Sequence, residues 1–391
     1  MKTVLPFFAA VALASGPLWA AELVLSSPRE HQVVQRSTPA TGLVRIAGEL
    51  SESCPGTATL EARVRREGDA QAGTEPAWQE IDGSVTGTLG SGAFTAPAGG
   101  WWTLEVRVVH DGKEFARGTV PNVGVGEVFV VAGQSNSANY GEEKQLTRTG
   151  RVASFDGTAW RIATDPQAGA TGGGGSFMPP LGDELVQRLD VPVGFVACGI
   201  GATSVREWLS KGATFPNPPT IESRVERVRV GGWASKGEAY ATFVARMQSL
   251  GPHGFRAVLW HQGESDANQK DAARTLPGTL YREYLERLIR DSRRAIGWEA
   301  PWFVAQVSYH VPGDERSDDI RAAQADLWKD GIALAGPDSD ALVGDLRERD
   351  GQGVHFSGKG LRAHATKWAE KVLPWLEAQW TAPRKMDGGT E

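Results

Sequence analysis

Glu127-Val128-Phe129-Val130-Val131-Ala132-Gly133-Gln134-Ser135-Asn136 is the stretch that decides the reading of this chain. Val128 to Ala132 are unbroken apolar residues, which suits a strand buried on both faces of a parallel sheet. Gly133 then lets another backbone or a substrate come close. Ser135 follows at the carboxyl end of the strand, the edge at which open α/β sheets bind their ligands. A serine delivered there is a candidate nucleophile. The same residue could instead do no more than cap a following helix.

Similar apolar runs occur at 193–198, 257–261, 302–307 and 341–344. Between them, 281–296, 320–327 and 361–373 carry apolar residues at helical spacing, the last run ending at Pro374. Strands alternating with helices predict an α/β fold, here a three-layer α/β/α sandwich on a parallel sheet. Upstream the pattern differs. Thr103-Leu104-Glu105-Val106-Arg107-Val108 alternates polar and apolar residues, and Asp111-Gly112 is a hairpin signal. We therefore expect a small β-sandwich at 21–122 before the α/β domain at 123–380.

The ends read differently again. Lys2, an apolar stretch and Ala20 suit a signal peptide over 1–20, so secretion or export to the periplasm is expected. Residues 381–391 are polar and are expected to be disordered. A net charge of −6 gives no general attraction for nucleic acid, and no polybasic patch suggests a membrane surface once the signal is cleaved. Cys54 and Cys198 fall in different expected domains and read as two buried thiols. No Cys/His spacing suits a metal, and no cofactor motif stands out, since Gly172-Gly173-Gly174-Gly175 lacks the Lys-Ser/Thr of a phosphate loop. That glycine run reads as a mobile loop near the site.

Three more segments carry chemistry. His355 lies in Gly353-Val354-His355-Phe356-Ser357, and a neutral imidazole is the base a serine needs near pH 7. Of the 7 histidines, His261 and His310 lie near strand ends and compete with it. Gln262-Gly263-Glu264-Ser265-Asp266 follows the 257–261 strand. Gln262 offers an amide to an oxyanion, while Glu264 and Asp266 could form the carboxylate pair of a glycosidase. Gly199-Ile200-Gly201-Ala202-Thr203 follows the 193–198 strand and offers backbone amides.

Together these segments resemble the SGNH-type carbohydrate esterases, in particular the sialate O-acetylesterase and acetylxylan esterase branch. Gly133-Gln134-Ser135-Asn136 is similar to the first block of that branch. Gly201-Ala202-Thr203 with Trp208 resembles the second, Gln262-Gly263-Glu264-Ser265-Asp266 the third, and Ile320-Arg321-Ala322-Ala323-Gln324 a further segment. The resemblance implies removal of O-acetyl groups from carbohydrates through an acyl-enzyme on Ser135, with His355 as base. It implies an oxyanion hole from Ser135, Gly201 and Gln262, and substrate contacts from Asn136, Glu264 and Arg321, without metal or organic cofactor. One position departs: the family's acid stands three residues before the histidine, and here that residue is Gln352. Asp350, five before His355, is the expected acid; another carboxylate or a Ser-His dyad are the other options. The competing expectation is a carbohydrate-binding protein on a degenerate esterase fold, motivated by Gln352 and by 14 tryptophans.

Overall fold

The structure is a computed structural model and describes residues 21–66, 76–229 and 231–381. The expected signal peptide at 1–20 and the tail from 382 onward lie outside the described residues. The protein is a mixed α/β molecule built around one large sheet of 15 strands, with a small three-stranded sheet beside it.

The N-terminal part is all strands. Ala21–Ser27 pairs antiparallel with Thr41–Leu50, which pairs with Leu89–Pro97. Gly99–His110 turns at Asp111-Gly112 into the next strand, and both turn residues have positive φ (49° and 70°), as a tight two-residue hairpin requires. Val44, Ile46, Leu104, Val106 and Val108 point inward at alternate positions and form a separate apolar core. Cys54 lies in it.

The strand leaving that hairpin, β1 (Lys113–Gly133), is 21 residues long. Its first half pairs with Gly99–His110. Its second half pairs in parallel on both sides, with β4 (Val193–Ala197) and β5 (Ala257–His261). The expected boundary at 122/123 therefore falls within one continuous strand. The parallel part continues through β2 (Val152–Phe155), which pairs with β4, and through β6 (Trp302–Gln306) and β7 (Leu334–Asp338) beyond β5. The edge strand β3 (Trp160–Ile162) runs antiparallel to β2.

Alternate residues of β1 feed two cores. Val128, Val130 and Ala132 pack with Phe243, Leu285, Leu288 and Leu327 from α2 (Glu238–Ser249), α3 (Gly278–Ile296) and α4 (Asp318–Lys329). Phe129 and Val131 pack with Leu181 and Leu185 of α1 (Met178–Leu189) and with Leu361, Trp368 and Val372 of α5 (Gly358–Thr381). A two-sided apolar strand needs cover on both sides, and its sequence supplies both sets. Each large side chain so buried contributes about 1.5–3 kcal/mol.

Two expected elements are corrected. Residues 341–344 form a turn rather than a strand. The last strand is β7, whose Gly336 lies so close to β6 that a Cβ would come within 2.7 Å of the Ala305 nitrogen. Asp340 explains the turn: its carboxylate accepts from the Ser308 and Tyr309 amides and the Ser308 hydroxyl. The final helix also continues through Pro374 to Thr381. Beyond the proline, Leu376 is buried and Trp380 lies under the guanidinium groups of Arg36 and Arg256, at 5.3 and 4.6 Å. Cys54 and Cys198 are both free and buried.

Candidate active site

Because β4, β1 and β5 lie side by side, the turns after them meet at one sheet edge. β1 ends at Gly133 (φ +126°), where a Cβ would fall 2.0 Å from the His261 carbonyl oxygen of β5. Only glycine fits this approach. Ser135 starts a single 3-10 turn, Ser135–Ser137, so no longer helix begins here for it to cap and a helix dipole adds little.

The turn is held from beneath. Gln134 Oε1 accepts from the Ser265 amide (3.0 Å), the Gly263 amide (3.4 Å) and Gln262 Nε2 (3.2 Å). Gln262 is fully buried, and its amide also donates to the Thr203 carbonyl and to Asp266 Oδ2 (3.1 and 2.8 Å). It thus joins the three turns from inside rather than facing a substrate. Asp266 is equally committed, accepting from the Ser204 hydroxyl, the Val205 amide and Arg206, so it forms no catalytic pair with Glu264. The Gly201 amide reaches the site edge, where it donates to Thr171 Oγ1 at 2.7 Å.

His355 arrives on a short hairpin. Arg347 and Phe356 form a bridge, and the Glu348 amide donates to the His355 carbonyl at 2.9 Å. This folds the Glu348 carboxylate back onto the ring, with Oε1 3.0 Å from His355 Nδ1 and 3.3 Å from the His355 amide. Asp350 does not occupy that place. It stands exposed at the hairpin tip with φ 53°, next to Gly351. The carboxylate at the imidazole is seven residues upstream of it rather than five, because the inserted residues form the hairpin's loop. Asn136 Nδ2 donates to the Val354 carbonyl at 3.2 Å and so ties the Ser135 turn to the histidine arm. Arg347 Nη1 donates to the same carbonyl at 2.8 Å. Among the described residues, no hydrogen bond joins Ser135 to His355; such bonds commonly close only around substrate.

The family described as "Carbohydrate esterase, sialic acid-specific acetylesterase" matches residues 125–374. The chain belongs to this family of carbohydrate esterases. It is accordingly a carboxylic ester hydrolase acting on acetylated carbohydrate. Its fold is similar to that of a carbohydrate acetylesterase from Xanthomonas citri, with TM-score 0.50 and 19% identity over 88% of this chain and 74% of that one. A protein from Arabidopsis thaliana (TM-score 0.43, 20% identity, 64% of this chain and 98% of that one) and NanS (0.42, 17%, 64% and 97%) are also similar. No curated protein matches the sequence.

The electrostatics of the esterase's site follow from burial. Desolvation lowers the His355 pKa, and Glu348 opposes it, so the ring is neutral near pH 7. Glu264 is buried behind Asn136, which donates to its Oε1 at 3.0 Å, and desolvation pushes its carboxyl up to about 7. It therefore backs the site rather than lining its opening. Arg321 is also withdrawn from substrate: its guanidinium is committed to Asp338, Asp340 and Gln306. The competing histidines are engaged elsewhere. His261 is buried against Phe356 and His364, and burial brings its pKa down to about 3. His310 is held between Asp314 and the Glu264 carbonyl.

The glycine run is fixed rather than mobile. Gly174 and Gly175 donate to the Asn139 and Gly141 carbonyls, and Gly141 donates back to Gly175. A Cβ at Gly172, Gly174 or Gly175 would lie 2.3, 2.3 or 1.9 Å from a backbone oxygen, while one at Gly173 meets nothing. Among the described residues, no helix is long and apolar enough to cross a membrane, and no group of three acidic, His or Cys side chains is placed to hold a metal ion.

Proposed function

We propose that this chain is a serine O-acetylesterase working through an acyl-enzyme on Ser135, with His355 as base and Glu348 as the acid that orients it. The observation that carries the reading is the contact of Glu348 with His355 Nδ1. It leaves Nε2 as the basic nitrogen. His355 takes the Ser135 proton as Oγ attacks the acetyl carbonyl carbon. The Ser135 amide and the Gly201 amide, once the acyl oxygen displaces the Thr171 hydroxyl, stabilise the oxyanion. His355 returns the proton to the departing sugar oxygen. It then deprotonates a water, which attacks the acyl carbon, and the imidazolium passes that proton to Ser135 Oγ as the acyl–serine bond breaks and acetate leaves. Gln262 supports this oxyanion hole from behind, and Asn136 holds the two arms in register.

In this reading the catalytic unit is an SGNH-type three-layer α/β/α sandwich over 123–380, carrying a β-sandwich at 21–122. The protein is exported after cleavage of 1–20, and its substrate is an acetylated glycan. The alternative, a carbohydrate-binding protein on a degenerate esterase fold, was motivated by Gln352 in the acid position and by 14 tryptophans; the contact of Glu348 with His355 speaks against the first of these motives.

The test is acetate release from 4-nitrophenyl acetate and acetylated glycans by the protein and by Ser135→Ala. The variant is expected to lose about 10⁴–10⁶-fold in turnover. A fluorophosphonate probe should modify Ser135. Equal rates for both proteins, or labelling elsewhere with Ser135 untouched, would end the proposal.

A further inference from the structure

Tyr140 lies outside the four motif segments, four residues beyond Asn136. Its ring stacks on the His355 imidazole, with centroids 5.4 Å apart and planes at 29°. Its hydroxyl end lies over Gly201, where a Cβ would come within 2.3 Å of Oη and 2.4 Å of Cζ. Its edge meets Gly172, where a Cβ would come within 2.8 Å of Cε2. Two turns thus forgo side chains at the positions where this one ring is seated. The ring is half-buried. The backbone beneath it is fixed, since Asn139 donates to the Thr171 carbonyl at 2.9 Å and Gly141 exchanges hydrogen bonds with Gly175 at 2.9 and 2.7 Å. A ring packed against His355, Gly201 and Gly172 on such a base does not swing aside easily.

We infer that Tyr140 is the specificity-determining wall of the acyl pocket, admitting acetyl and excluding longer acyl groups. The inference rests on the serine-esterase reading above. In that reading the carbonyl carbon attacked by Ser135 directs its oxyanion to the Gly201 amide and its leaving oxygen to His355. Tyr140 lies against both of those groups, and its ring is the wall we assign to the acyl chain. A methyl fits where each further methylene meets an aromatic wall, and a poorly accommodated methylene costs about 10-fold or more in kcat/KM.

The experiment compares kcat/KM for 4-nitrophenyl acetate, propionate and butyrate in the full chain and in Tyr140→Ala, Tyr140→Phe and Ser135→Ala. The unaltered protein is expected to prefer acetate over butyrate by about 10–100-fold. Tyr140→Ala should cut that preference at least about tenfold, and Tyr140→Phe should keep it, because the ring does the excluding. A ratio of rates on two substrates is independent of the active fraction. Should the alanine variant fail to fold, Tyr140→Leu replaces it and should shift the ratio in the same direction. An unchanged ratio in Tyr140→Ala or Tyr140→Leu, a shifted one in Tyr140→Phe, or equal use of acetate and butyrate by the unaltered protein overturns the inference. Turnover surviving in Ser135→Ala instead marks failure of the serine-esterase reading itself.

Discussion

Asn136 Nδ2 donates to the carbonyl oxygen of Val354, the residue before His355, across 218 residues of chain. The same amide donates to Glu264. One side chain next to the expected nucleophile therefore sets the position of the expected base. Asn136→Ala should lower kcat on 4-nitrophenyl acetate by about 10²-fold with little change in KM, since a displacement of about 1 Å can cost that much. An unchanged kcat would show that the histidine arm holds its place without Asn136.

The identity of the acid can be read from pH. Burial lowers the His355 pKa and Glu348 raises it. The base works when deprotonated, so kcat/KM is full above that lowered pKa and is lost as pH falls through it, with a midpoint below 6.5. Glu348→Gln removes the group that raises the pKa. The acidic limb should move to still lower pH while kcat drops by about 10²–10⁴-fold. Asp350→Asn should leave both untouched. Steady-state pH profiles of the two variants decide the matter, and the reverse pattern would restore Asp350.

Glu264 makes stability depend on pH. Its carboxyl is raised from 4.5 to about 7 by burial. Between those values the folded protein keeps a proton that the unfolded chain has lost. Stability due to this group therefore falls as pH rises across that window and levels off above it. Glu264→Gln retains an acceptor for Asn136 without the titration. It should melt higher than the unaltered protein at pH 8 and match it near pH 4. A Tm difference that does not vary with pH would contradict the assignment.

The glycine run offers a test within four neighbouring positions. Gly173→Ala meets no atom and should change stability by less than about 0.5 kcal/mol. Gly175→Ala would put a methyl 1.9 Å from the Glu143 carbonyl and should cost several times more, about 1–3 kcal/mol. Denaturant unfolding of the two variants gives the comparison. Equal effects would mean that the segment is not pinned.

What the sequence made legible follows local chemistry. The strands at 193–197, 257–261 and 302–306 are short apolar runs buried on both faces, a pattern visible without coordinates. β7 escaped because its Leu334-Ala335-Gly336-Pro337-Asp338 is only partly buried and carries a glycine and a proline. Ser135 and His355 were legible as residues at element ends. Glu348 was not, since a partner across a hairpin loop has no fixed spacing. The one available signal was Asp350-Gly351, a turn dipeptide between Leu346-Arg347-Glu348 and Val354-His355-Phe356. The role of Gln134, bonded to the turn after β5, depends on strand order, which no local pattern encodes. Glu264 and Arg321 sit in matching motifs, yet their partners turn them inward.

The strand Lys113–Gly133 makes the leading β region part of the alignment of the candidate site. Grafting a different leading module ahead of residue 123 would require it to enter with the same phase. A slip of one residue would turn Val128, Val130 and Ala132 toward the wrong helices and rotate the serine that follows away from its partners. The two regions are thus not interchangeable parts on a tether: evolution or an engineer can decorate the leading region freely, but can swap it only in even steps.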